Sequence, residues 1–402
     1  MSKSSVFTGQ PIFSQLLTFV PKSSVEQIAS DYGSDRFSRH FTTHAHLITM
    51  LYASFNKCES LRELTSGLLA WGQRINHLGI KKWPRRSTIS DANGRRSEQV
   101  FGKIYEFLYQ KNRHLLPDSR KKKRSKLYIA DSTTISLFQE VMGTAGRTPA
   151  NGKRKGGIKV HTLINSAEDV PCMIRMTSAA AHDAPFLKQI QLPKGSWLVF
   201  DKGYNDYSQL QTFSEQEITW VTRKRSNAVY TTVERRTLTD VQKEKGIKKD
   251  HIITLGHQHH DRNVRVNARL IDFKDPESSK RFQFITNNTK LSPTTIAALY
   301  KERWQIEILF RRFKQNYPLT YFLGDCENAI KIQIWCTLIA DLLAKIVKAL
   351  ATKKWSFSNL RSIIRIHLMT YIDLYLFLKN PEKALQQDKP PNSSDQQLLF
   401  AT

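Results

Sequence analysis

The chain has 402 residues, 40% of them hydrophobic and 10% aromatic, enough to bury the cores of two or three folded domains. Its 62 Lys and Arg stand against 35 Asp and Glu, a formal charge of +27 that favours a polyanionic partner through counterion release, nucleic acid first; no lipidation signal or concentrated basic amphipathic helix supports the competing membrane-surface class. Cys58, Cys172, Cys326 and Cys336 lack paired spacing, which argues against a disulfide framework and a zinc finger and fits a reducing, cytoplasmic setting.

From the start, MSKSSVFTGQPIFSQLLTFV lacks the apolar core and cleavage site of a signal peptide. Residues 1–115 read as an all-α domain with capping boxes at Ser23 with Glu26 and Ser60 with Glu63. A further helix is expected from near Ser87 through Phe101, Ile104, Tyr105 and Leu108. The preceding KKWPRRSTISDANGRR, residues 81–96, would put Arg95 and Arg96 on the first turns of a helix resembling a DNA-recognition helix; a solvated basic surface serves equally well. Residues 116–126 form a basic linker in which Lys121, Lys122, Lys123 and Arg124 are candidate phosphate contacts or merely a solvated run.

Residues 127–225 change to an α/β pattern. Strands are expected at 127–138, 157–165, 170–179, 197–200 and 218–225, with helices over 183–192 and 206–215 and a turn at 165–169. The run Trp197 to Phe200 is what a strand buried on both faces shows. Residues 226–288 alternate polar and apolar positions and read as an antiparallel β insertion, residues 289–320 and 321–385 as helical, and the polar tail 386–402 as disordered. The apolar stretch Ile332 to Leu350 carries Asp341 and Lys345, so it reads as a packed helix and not a membrane span.

Metal-assisted phosphodiester chemistry needs carboxylates converging from separate elements, because hard divalent cations take oxygen ligands. Asp131 lies on a strand and Asp201 ends the most apolar one, where ligands of open α/β sheets bind; taken singly, each reads as well as a turn or cap residue. YKERWQIEILFRRFK, residues 300–314, is a strong helical window in which Tyr300, Arg303, Glu307 and Lys314 fall within about 60° of one face at 100° per residue. Glu307 can complete a metal site, Arg303 and Lys314 can hold phosphates and Tyr300 can fix one of them; an amphipathic helix with a solvated charged face is the bland alternative. His257, His259 and His260 sit in a polar stretch and read as a solvated loop, Lys153, Arg154 and Lys155 beside glycines as a basic loop able to approach a phosphate backbone or as a plain solvated turn, and His182 with Asp183 either as neighbours of the site or as a helix cap.

The spacing Tyr300, Arg303, Glu307, Lys314, with ADSTT at 130–134 and FDKGYND at 200–206, resembles the Y-R-E-K signature and the two aspartate motifs of the insertion-sequence-four group of DDE transposases. The resemblance covers about residues 125–320. It implies a ribonuclease-H-like α/β core interrupted by a β-rich insertion, between an all-α N-terminal domain and a helical C-terminal region. It further implies Asp131, Asp201 and Glu307 as catalytic ligands of two Mg²⁺ ions, with Mn²⁺ able to substitute, and Tyr300, Arg303 and Lys314 as contacts to the transposon end. Lys202, Gly203 and Tyr204 carry over less firmly. Trp220 is the candidate for stacking on a flipped base, although a core tryptophan fits its apolar strand better. Partners implied are double-stranded DNA and a second copy in a synaptic homodimer, formed in the bacterial cytoplasm at the nucleoid. A junction nuclease with the same carboxylates and a silent DNA-binding repressor are the rival functions, and inverted repeats flanking the gene would favour transposition over both.

Overall fold

The computed structural model describes residues 9–116, 126–136, 146–147, 155–259, 262–351 and 353–386. The basic run Lys121, Lys122, Lys123 and Arg124, together with Lys153, Arg154, His260 and the tail beyond Gln386, lies outside them. The chain divides into two compact units: Met1–Leu116 with Phe313–Thr402, and Pro117–Arg312.

The second unit is built on strands β1 Leu127–Ser136, β2 Gly146–Arg147, β3 Lys155–Asn165, β4 Pro171–Ser178, β5 Trp197–Phe200, β6 Thr219–Arg223, β7 Tyr230–Arg235, β8 Ile247–His259, β9 Arg262–Lys274 and β10 Arg281–Thr286. Their order is β2-β3-β1-β5-β6-β10-β9-β8-β7, with β4 also on β3. β3 runs antiparallel to both β4 and β1, whereas β5 is parallel to both β1 and β6. The residues after β6 return as antiparallel strands and rejoin the sheet through β10 on β6, with Ile285 opposite Thr222. The β-rich region expected at 226–288 therefore extends the same sheet.

The buried run of β5 has a direct cause. Leu198 and Phe200 point to one face, where they meet Trp220 and, from the helix Tyr207–Glu215, Leu210 and Phe213. Val199 points to the other, with Leu127, Val221 and, from the helix Pro293–Lys301, Ile296, Ala297 and Tyr300. A central parallel strand covered on both faces has no polar side, so its sequence is continuously apolar.

Several local expectations shift. The helix expected over 183–192 is only Ala184–Leu187, and the chain continues in turns with i to i+3 bonds, Gln189 N to Phe186 O and Ile190 N to Leu187 O. His257 and His259 belong to the long strand β8 and not to a loop, because β8 pairs with β9 as far as His259 opposite Arg262.

In the first unit, the helix expected from Ser87 onward is two helices, Arg86–Arg95 and Glu98–Asn112, because Arg96 turns extended and Ser97 caps the second. Arg95 and Arg96 thus stand at the end of a helix, not on its first turns. The Ser23 box is absent, since Pro21 occupies the cap position of Lys22–Asp31 and no side chain bonds there. Ser60 does cap, accepting from Glu63 N at 3.1 Å, but Glu63 reaches back to the amide of Glu59 (2.7 Å) and not to that of Ser60. The helix Glu327–Leu350 is buried along most of its length and packs on Glu98–Asn112 and Thr43–Asn56, so the helices at the two ends of the chain share one core. Among the described residues no helix is long and apolar enough to cross a membrane.

Candidate active site

The parallel pairing of β1 with β5 ends at Ala130 opposite Phe200, and the next residue on each strand is an aspartate. Asp131 takes the amide of Ser132 at 2.8 Å, and Asp201 takes that of Gly203 at 3.4 Å, capping the turn Lys202–Tyr204. Asp201 thus sits at the carboxyl end of β5 and Asp131 within β1 where its pairing with β5 ends, each held by a backbone amide one or two residues on.

The third element approaches from the sheet face. Ser292 caps the helix Pro293–Lys301 through the amide of Thr295, and proline follows at its first position, a strong start signal. This helix lays the Tyr300 ring against Phe284, with ring centres 4.8 Å apart, and its phenol donates to Asp201 Oδ1 at 3.3 Å. The helix expected to run unbroken over residues 300–314 is interrupted: Glu302 and Arg303 form a turn with i to i+3 bonds before the helix Trp304–Asn316. The geometry of one regular face therefore does not apply. Three side chains converge all the same, because Arg303, 14% exposed, donates Nη1 to Asp131 Oδ2 and Nη2 to Glu307 Oε1. A single guanidinium bridges the carboxylate of β1 and that of the helix.

Arg223, at the end of β6, donates to Asp201 Oδ1 at 2.6 Å. Sequence reading missed it, although a charged residue following the apolar pair Trp220–Val221 and Thr222 on the third parallel strand was the available signal. The guanidinium carbons of Arg223 and Arg303 lie 5.9 and 5.8 Å from the centre of the Tyr300 ring, so two cations and a phenol are interleaved with the three acids.

The electrostatics follow from this crowding. Burial pushes the Asp131 carboxyl up to about 6; Arg303 and the Ser132 amide oppose the shift, while Asp201 and Glu307 add to it by repulsion. Asp201 is also pushed upward by burial, but its hydrogen bond and ion pair with Arg223 outweigh that and hold it below the usual range. Burial raises the Tyr300 phenol to about 12, so it remains a donor at neutral pH.

Among the described residues, no three His, Cys, Asp or Glu side chains are arranged as they lie to hold a metal ion. The donor set nevertheless suits one: three hard carboxylates come from separate elements, two of them raising the proton affinity of Asp131, and the cationic guanidinium of Arg303 already bridges Asp131 and Glu307. Such hard oxygen ligands call for positive charge, which a divalent cation also supplies.

The other candidates are placed as follows. Lys202 and Gly203 are exposed beside Asp201, and Tyr204 is buried. Lys314 is exposed in the last turn of its helix, past the division after Arg312. Trp220 is wholly buried and donates its Nε1 to Ser214 Oγ at 3.0 Å; no base can reach its ring, so the stacking role is withdrawn. Trp304, next in the chain to Arg303, is 52% exposed, with Ile308 at 50% one turn on. Arg95 is exposed and pairs with Asp91. Arg96 is 5% exposed, bound to Asp35 at 3.2 Å, to Ser38 and to the Phe41 carbonyl; it holds the loop before Thr43 in place and is removed from the phosphate contacts.

Residues 122–343 match the family described as the transposase DDE domain, and residues 8–81 match a domain of unknown function, DUF4372. The putative transposase y4zB of Sinorhizobium fredii is 28% identical over 314 residues, covering 77% of this chain and 83% of that protein. The probable transposase for insertion sequence element IS5377 of Geobacillus stearothermophilus is 25% identical over 329 residues, 81% of this chain and 82% of its own length. The putative transposase for insertion sequence element IS4SA of Synechocystis is 25% identical over 273 residues, 65% and 71% of the two chains. A piggyBac transposase synaptic complex with hairpin DNA aligns at a TM-score of 0.44 and 11% identity over all of this chain and 86% of that one, a likeness too weak to argue from.

Proposed function

This chain belongs to the transposase DDE-domain family, and on that premise we propose that it is the transposase of an insertion sequence of the insertion-sequence-four group, cutting the element's ends and joining them to a target. The observation that carries the reading is the meeting of Asp131, Asp201 and Glu307 around Arg303, Arg223 and Tyr300. The order β4-β3-β1-β5-β6, antiparallel then parallel, supports a ribonuclease-H-like core, with β7 to β10 as its insertion.

Asp131, Asp201 and Glu307 would hold two Mg²⁺ ions, or Mn²⁺ in their stead. Bound there, the metal supplies positive charge against the attacking and leaving oxygens. Arg303 and Arg223 are rigid donor forks suited to the non-bridging oxygens of a phosphate beside the scissile bond, and Lys314 contacts the transposon end further along its helix. Tyr300 keeps its proton and steadies Asp201 by donating to it. Trp304 offers the exposed ring on which an unstacked base can lie, a contact the buried Trp220 cannot make. In the reaction a water oxygen bonds to phosphorus as the P–O3′ bond breaks. The freed 3′-hydroxyl then attacks the opposite-strand phosphorus and displaces the flanking strand's 3′-oxygen, closing a hairpin end. A second water reopens the hairpin and restores the 3′-hydroxyl, which attacks a target phosphorus and displaces a target 3′-oxygen, so no covalent protein intermediate is required.

Duplex contact is assigned to the helical unit and to the basic run Lys121 to Arg124. In that unit a cleft of about 480 Å³ is lined by Arg36, Phe37, Asp91 and Arg95 among others, with Phe37 89% exposed and Asp91 neutralised by Arg95. Its net positive charge and bare aromatic ring suit a phosphate backbone. A homodimer would bring two ends together.

The test is Mg²⁺-dependent cleavage of a labelled duplex carrying the element's own end, comparing native protein with Glu307→Gln. The expected result is cutting at the end by the native chain and binding without cutting by the variant. Equal cutting by both removes Glu307 from the site, and binding without cutting by both favours a repressor.

A further inference from the structure

Asp183 does not serve as a helix cap. No side-chain cap bond is made at the start of Ala184–Leu187, and the carboxylate turns toward the reaction centre. Its Oδ1 accepts from Lys159 Nζ at 3.1 Å and from Ser132 Oγ at 3.3 Å, and it lies 3.6 Å from His161 Nδ1. Lys159 is fixed in turn by the Ala181 carbonyl at 2.7 Å. The other oxygen, Oδ2, faces Gly203: a β-carbon built on that glycine would sit 3.2 Å from Asp183 Oδ2 and 4.0 Å from Asp201 Oδ2.

One carboxylate therefore binds Ser132 and faces Gly203, the two residues that hold the aspartates. Ser132, whose hydroxyl it accepts, gives its amide to Asp131; Gly203, whose open α-carbon it faces, gives its amide to Asp201. Lys159 is 14% exposed, so most of the charge of this extra acid is compensated inside the protein, and Asp183 can be present without itself serving as a ligand. We propose that Asp183, clamped by Lys159, is a positioning residue that sets the separation of Asp131 and Asp201 and with it the affinity of the site for its divalent ions. The inference rests on the metal-site reading above. Outer partners that orient metal ligands change affinity or activity by about 10- to 100-fold when removed.

Mn²⁺ binding to the full-length protein, measured by titration calorimetry with no DNA present, is compared for native, Asp183→Asn and Asp131→Asn chains, alongside binding of a labelled end duplex in EDTA. The expected result is Mn²⁺ affinity lowered about 10- to 100-fold in Asp183→Asn, abolished in Asp131→Asn, and DNA affinity within twofold of native in both. Because Asp183→Asn leaves Lys159 without its carboxylate, the pair Lys159→Met with Asp183→Asn is measured too; it removes both charges and keeps the volume, and is expected to melt near the native temperature while retaining the Mn²⁺ defect. Native Mn²⁺ affinity in a folded Asp183 variant, with Asp131→Asn still defective, overturns the inference and leaves the site reading intact. A lowered melting temperature with unchanged Mn²⁺ affinity makes Asp183 merely structural and also overturns it. A native chain that binds no Mn²⁺ overturns the site reading, and the inference with it.

Discussion

Both units bury arginines, but against different partners. In the helical unit Arg361, 3% exposed, donates to the carbonyls of Ser54 and Asn316 at 3.2 Å and of Phe55 at 3.4 Å, and its guanidinium lies 4.5 Å from the centre of the Tyr317 ring. Arg96 similarly ties down one loop. These cations satisfy the ends of helices and loops that would otherwise leave buried carbonyls unpaired. In the sheet unit Arg303 and Arg223 face three carboxylates, and Asp201 and Glu307 repel the buried Asp131, an arrangement that costs folding energy and is retained where a further cation or ligand must bind. The lesson is that a buried charge is read from its partners: carbonyls and one-to-one pairs mark structure, an excess of one sign marks a site.

The comparison breaks first if substitutions in the two sets behave alike. Glu307→Gln and Asp131→Asn should reduce end cleavage by more than about 100-fold, beyond what loss of an outer partner costs, while the melting temperature stays level or rises because repulsion is relieved; steady-state cleavage and calorimetry on the same preparations check both halves. Arg361→Leu should do the reverse. It removes the donor to the buried Ser54 and Phe55 carbonyls and should lose about 2–4 kcal/mol of stability, read by urea unfolding, with cleavage per folded molecule unchanged. Acid sharpens the contrast within the helical unit. Burial holds the His46 imidazole, hydrogen-bonded to Asn93, down to about 3, below its unfolded value of about 6.5. The neutral ring's contribution is therefore complete above pH 6.5, and as pH falls toward 3 the unfolded chain binds the proton first, so up to about 1.4 kcal/mol is lost per pH unit. Unfolding of His46→Gln should show a correspondingly flatter slope between pH 6.5 and 5. The smallest effect is expected at the surface: Arg36→Ala with Arg95→Ala should lower the slope of log affinity for duplex DNA against log salt by roughly 0.9 for each phosphate left unneutralised, with Mn²⁺ binding untouched.

Much of this was legible because strand burial writes itself into the sequence. The run Trp197–Phe200, apolar on both faces, located the central parallel strand, and the acids ending that run and its neighbour marked the open end of the sheet. The alternation from 226 to 288 announced antiparallel strands, but not that β10 would join β6 and make one sheet. That pairing depends on long-range register, with Thr286 opposite Val221, which no local pattern carries. The turn at Glu302–Arg303 was hidden for the opposite reason: residues 300–314 are good helix formers, and the long-range ion pair to Asp131 fixes Arg303 where propensity favours a continuous helix. Arg95 and Arg96 looked equivalent side by side, yet one is exposed and the other serves Asp35. The partner that distinguishes them lies 61 residues away in sequence.

The most direct test of the central claim, that Asp131, Asp201 and Glu307 together hold the catalytic cations, is anomalous scattering from crystals of the protein grown with Mn²⁺. The account predicts manganese bounded by oxygens of all three carboxylates, with the Arg303 guanidinium moved off at least one of its two acids. Manganese bound elsewhere, or none bound while Arg303 keeps both bridges at saturating Mn²⁺, would contradict it.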